Sequence, residues 1–194
     1  SETTTASFSA DMYLGSVDGG DFDTATAGAQ EDSAVMAGYS FQIDLNTSFT
    51  GEDSLDISLD SGNAGTEGIA EFDGNATPVD GVVVDGVSYT FPLGEKTTVM
   101  VGDNTDGSAL FTTACVYGGP SNTLDDCGNV NAGITNGGAM FGAAYEFGGG
   151  FTGAIGYAGP EGGVMTQESA DAYGVNAAYT ADNYGFSVTY GHVD

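Results

Sequence analysis

The stretch VMAGYSFQIDLNTSFTGEDSLDISLDSG, residues 35–62, decides the fold class. Val35, Ala37, Tyr39, Phe41, Ile43, Leu45, Thr47 and Phe49 occupy one phase of a two-residue period, and Ser40, Gln42, Asp44, Asn46 and Ser48 the other. Successive side chains of a strand point to opposite faces, so this period describes a β-strand with one apolar and one polar face. After Gly51-Glu52-Asp53 the alternation resumes as Leu55, Ile57 and Leu59 against Asp56, Ser58 and Asp60, and the two runs form a predicted hairpin.

The same pattern extends in both directions. Before it stand Ala6, Phe8, Ala10, Met12 and Leu14 with Ser7, Ser9 and Asp11 between them; after it come runs at 87–93, 97–101, 139–147, 151–157, 173–179 and 184–190. Nine strands and no amphipathic helix are predicted. Their connections alternate without exception. Those at 51–53, 94–95, 148–149 and 181–183 are tight turns, whereas 15–34, 61–82, 102–138 and 158–170 are long, polar and rich in Gly, Asp, Asn and Ser. In an antiparallel meander every strand reverses, so all the long connections lie at one end and all the short turns at the other.

That asymmetry belongs to outer-membrane barrels. A soluble up-and-down barrel or sandwich shares the period, because alternation alone does not say whether the apolar face meets lipid or a packed core. Three features favour lipid. Aromatic residues gather toward strand ends, at Tyr145, Phe147, Phe151, Tyr157, Tyr179 and Tyr184, as girdles do at a membrane interface. The polar phase is Ser, Thr, Gly, Asn, Gln and Asp, without the lysines that guard soluble sheet edges. The strand at 35–49 exceeds the roughly 9–11 residues that cross a bilayer at a tilt. The expected fold is all-β, an antiparallel up-and-down transmembrane β-barrel, with residues 1–194 as a single barrel domain. A closed single-chain bacterial barrel has an even strand count, so nine strands imply part of a larger barrel, the favoured reading, or else a strand count other than nine or strands supplied by other chains.

Charge narrows the function. The 194 residues carry one Lys+Arg, namely Lys96, against 28 Asp+Glu, for a net charge of -27. Such a chain makes no counterion-releasing contacts with phosphates, which excludes nucleic acid as a partner. The single histidine, His192, leaves little for His-based metal or triad chemistry, and no enzyme activity is expected. A hydrophobic content of 40% argues against disorder despite the charge. Cys115 and Cys127, in a polar stretch, suit a disulfide and an oxidising compartment, with free thiols as the alternative. With no signal peptide at Ser1 and no apolar run near 18 residues, the chain reads as a mature exported form.

The segment FQIDLNTSFTGEDSLDISLDSGNAG, residues 41–65, resembles the barrel domain of cyanobacterial outer-membrane porins of the carbohydrate- and iron-uptake type. The likeness lies in Leu45, Thr47, Ser48, Phe49, Thr50, Gly51, Asp53, Leu55, Gly62 and Asn63, and FPLGEKTTVMVGDN at 91–104 looks like the family's next hairpin. The resemblance implies an outer-membrane location, lipid as a partner, a trimeric assembly, and passive diffusion of inorganic ions and small hydrophilic solutes. Members of that family usually carry an N-terminal surface-layer-homology domain, which has no counterpart in these residues. They also usually carry bases in the strand after TSFTG, where Asp56 and Asp60 stand here.

The polar strand phase supplies the pore-lining candidates Asp11, Gln42, Asp44, Asn46, Asp56, Asp60 and Glu146, which would concentrate cations and repel anions. The third long connection, 102–138, is the candidate constriction, because the third outer loop of general porins folds inward; its acids are Asp103, Asp106, Asp125 and Asp126. A second function uses the same acids. Closely spaced oxygens at Asp18, Asp21 and Asp23, in DGNATPVDGVVVDG at 73–86, and at Asp103 and Asp106 could bind Ca²⁺ in an extracellular surface-layer or filament subunit, although none fits an EF-hand. Asp-Gly and Asn-Gly pairs also occur simply as turns. No other cofactor is expected.

Overall fold

The computed structural model describes residues 3–15, 35–63, 81–113, 134, 138–166 and 170–193. They form one antiparallel sheet of nine strands in sequential order. The strands are β1 (Thr3–Gly15), β2 (Met36–Ser48), β3 (Ser54–Gly62), β4 (Val83–Pro92), β5 (Thr97–Asp103), β6 (Ala139–Gly148), β7 (Phe151–Gly159), β8 (Ala172–Thr180) and β9 (Gly185–Val193). Each predicted run falls within one of these strands or within a residue of its ends, and no helix occurs among the described residues. The alternation was sufficient because strand pairing preserves phase from one ladder to the next. Among the described residues β1 pairs only with β2 and β9 only with β8, so both are sheet edges.

Register carries the two phases across the whole sheet. Asn46 faces Asp56, and Asp56 faces Ser88; on the other phase Leu45 faces Ile57, and Ile57 faces Val87. The apolar phase is open on β1 and on β6 to β9 and half-covered on β2 and β3. Phe8 is 74% exposed, Ile155 51%, Val175 50% and Val188 55%. Burying one such side chain is worth about 1.5–3 kcal/mol, so a sheet that leaves this face bare in water forfeits its main source of stability.

The turns follow from local chemistry. Gly51 has φ 93, and Gly148, Gly149 and Gly150 have φ of 94, 63 and 87, a region where a Cβ is penalised. In the β2–β3 turn, Asp53 Oδ1 accepts hydrogen bonds from the N–H groups of Phe49 (3.0 Å) and Thr50 (2.8 Å) and from the hydroxyls of Ser48 (2.9 Å) and Thr50 (2.8 Å). Its Oδ2 accepts from the Tyr89 hydroxyl on β4 at 2.6 Å. The TSFTGED motif is thus a carboxylate-centred turn tied to the next strand.

Aromatic rings collect at this turn end on the apolar phase. Phe49 and Tyr89 have centroids 6.3 Å apart, Tyr145 and Phe147 5.0 Å, Phe151 and Tyr179 4.7 Å, and Tyr179 and Tyr184 5.9 Å. Tyr157 does not belong to this band. It lies at the opposite end of β7, buried, where its hydroxyl donates to Asp171 Oδ1 at 2.7 Å and accepts from the Met165 N–H at 2.9 Å.

Candidate functional site

The polar face divides into two unlike halves. On β1 to β4 it is a ladder of acids, amides and hydroxyls. By register, Asp11 lies opposite Ser40, Gln42 opposite Asp60, Asp44 opposite Ser58, Asn46 opposite Asp56, and Glu146 opposite Thr152. All seven residues singled out from the alternation therefore share one face. Asn46 Nδ2 donates to Asp56 Oδ1 (2.6 Å) and Gln42 Nε2 to Asp44 Oδ1 (2.8 Å), while the hydroxyls of Ser54 (2.7 Å) and Ser58 donate to Asp56 and Asp44. These bonds hold the carboxylates in place without a cation from the protein. Lys96 sits in the β4–β5 turn, at the same end of the sheet as the β2–β3 turn, where its carbonyl accepts from the Glu146 N–H at 2.9 Å.

On β5 to β8 the same face is mostly glycine and alanine, with Glu146, Thr152 and Asn176 among its polar side chains. Met100, Gly142, Gly156, Gly174 and Gly191 are successive cross-strand partners, so four glycines form a row across β6 to β9. Residues 104–113, the start of the third long connection, lie on this row as a strap. Phe111 and Ile134 pack with Met100, Met140, Ala154 and Ala158, with Leu110 and Ala144 alongside. Gly107 donates from its N–H to Ile134 O at 2.9 Å, and Asn104 from its N–H to Gly138 O at 2.8 Å. Close approach requires the missing side chain at Gly156, where a Cβ would collide with Gly107 O, whereas one on Gly142 would sit 3.7 Å from that oxygen in ordinary contact.

Where strap and ladder meet, a cleft of about 600 Å³ opens. Asp44, Asp56 and Ser58 line one side, Asp85, Gly86 and Ser88 the next, and Asn104, Thr105 and Asp106 of the strap the third. Asp106 is oriented by its own turn, with Oδ1 accepting from the Ser108 N–H (2.8 Å) and hydroxyl (2.7 Å). Asp103 is not on the strap: it ends β5 opposite Val87, on the apolar phase, and is exposed. Asp60 is 8% exposed and its Oδ1 has no hydrogen-bond partner among the described residues. Asp85, absent from the pore-lining candidates, enters the cleft because a register shift between Ser58 and Leu59 passes over it. The run VVVDG breaks strict alternation there, and that break was the available signal.

Asp125, Asp126, Cys115 and Cys127 lie outside the described residues, as do Asp18, Asp21 and Asp23 and most of 73–86. Among the described residues, no three His, Cys, Asp or Glu side chains form a group that could hold a metal ion. No family model, curated protein or solved structure matches the chain.

Proposed function

We propose that the protein is an outer-membrane porin that passes inorganic cations and small hydrophilic solutes by diffusion. The observation that carries this reading is the inverted distribution of side chains. Large apolar residues are exposed along one face of β1 and of β6 to β9 and half-buried along it on β2 and β3, aromatic rings band its turn end, and carboxylates held by neutral donors occupy the other face. A bilayer makes the exposed apolar face favourable, and it tolerates strands only when their backbone groups are paired, so in this reading the edges β1 and β9 are joined in a barrel by further strands. A strap across the polar face narrows the passage, and the uncompensated acids beside it favour cations. The resemblance at residues 41–65 agrees with this function and brings with it a trimeric assembly.

The test is planar-bilayer conductance of the purified protein under a salt gradient. The expected result is stepwise conductance with a cation-selective reversal potential. Absence of conductance, with assembly that depends on Ca²⁺ and is lost on chelation, would instead identify an extracellular structural subunit.

A further inference from the structure

We propose that Asn176 is the positioning residue that latches the strap on β6 to β8, and thereby confines transit to the acid-bearing wall of β2 to β4. The inference rests on the porin reading and concerns how its passage is shaped. Asn176 is 5% exposed, and its amide engages both backbone groups of a single strap residue. The Thr112 N–H donates to Asn176 Oδ1 at 3.1 Å, and Asn176 Nδ2 donates to Thr112 O at 3.1 Å. This pairing copies one rung of a β-ladder with a side chain, so the strap gains a directional attachment without becoming a tenth strand. Nδ2 also donates to Thr189 Oγ1 on β9 at 2.9 Å, which fixes the rotamer that presents the amide. A hydroxyl contact between Thr152 on β7 and Thr112, at 3.0 Å, lies beside it.

The glycine row supplies the second half of the device. The strap backbone at Gly107 rests directly over Gly156, as low on the sheet as two backbones allow, and the Ile134 side chain fills the space over Gly174. Seen from the polar face, β6 to β8 are therefore covered, while Asp44 and Asp56 stay in the open cleft. Loss of the latch frees the strap, widens the passage and moves ions away from the carboxylates.

Two variants reach this prediction by different routes. Asn176→Ala removes the amide. Gly156→Ala leaves Asn176 intact and lifts the strap sterically, at a glycine whose φ is not in the left-handed region, so the strand itself accepts alanine. Single-channel conductance and reversal potential are recorded for the wild-type chain and both variants, and amide exchange of residues 104–113 is followed on the same proteins in micelles. The expected results are at least a twofold rise in conductance, a reversal potential closer to zero, and exchange in the strap at least tenfold faster with β6 to β8 still protected. A conducting wild type whose variants keep its conductance and reversal potential would overturn the latch. A wild type that does not conduct would overturn the porin reading instead; the exchange measurement then decides the latch alone, and unchanged strap protection in both variants refutes it.

Discussion

The hydroxyl of Tyr89 donates a 2.6 Å hydrogen bond to Asp53 Oδ2, joining the β2–β3 turn to β4. Together with the Thr50 N–H and the neighbouring hydroxyls, that bond holds the Asp53 carboxyl well below its ordinary value of 3.8. Because the folded value is the depressed one, ionised Asp53 stabilises the fold fully above 3.8, and the contribution is lost as pH falls from there toward the folded value. The urea midpoint of Asp53→Asn is therefore expected to lie below that of the wild type at neutral pH, with the gap closing in acid. A gap independent of pH would disprove the coupling. Tyr89→Phe removes one of the five hydrogen bonds and Asp53→Ala all of them, so the second variant is the less stable.

Gly51 bends the same turn at φ 93 with open space around it. Replacement by alanine creates no collision and leaves only the backbone penalty, about 1–2 kcal/mol. Equilibrium unfolding in micelles should register that loss. The mirror experiment is Gly150→Ala, where φ is 87 and a Cβ also runs into Thr180 O, and its loss should be the larger of the two.

Ile155 is 51% exposed on the apolar phase of β7 and separates the two environments for that face. In water, Ile155→Arg at an exposed site changes stability by no more than about 0.5 kcal/mol. In a bilayer the same substitution costs about 2–4 kcal/mol near the midplane. Folding titrations into phosphatidylcholine vesicles are expected to give the larger value, and a near-zero change would refute lipid contact at this face.

Asp44 and Asp56 line the cleft beside the strap, held by Gln42, Asn46, Ser54 and Ser58. The double variant Asp44→Asn, Asp56→Asn keeps the shape and removes two charges. The reversal potential in a salt gradient should move toward zero. Its shift should be large near 0.1 M salt, where the screening length is about 10 Å, and much smaller at 1 M, where it is about 3 Å. A shift of equal size at both concentrations would argue for a steric cause.

Much of this protein is written locally. The alternation from Val35 to Leu59 determined strand existence and side-chain phase, since period two is a property of each strand by itself and antiparallel pairing carries the phase intact from β1 to β9. Alternating connection lengths determined that the tight turns share one end. The tertiary structure decided what distant segments do to one another. Gly142, Gly156 and Gly174 each look like an ordinary weak strand position, and only cross-strand register aligns them into a bed for the strap. Asn176 is one polar residue among many until Thr112, 64 positions away, meets both ends of its amide. Asp85 joins the cleft through a shift in ladder register, and Tyr157 leaves the aromatic band because Asp171 and Met165 cover it. Period and turn chemistry act over a few residues, and the sequence displays them. Close approach of backbones and pairing of buried polar groups depend on segments brought together only by the completed sheet.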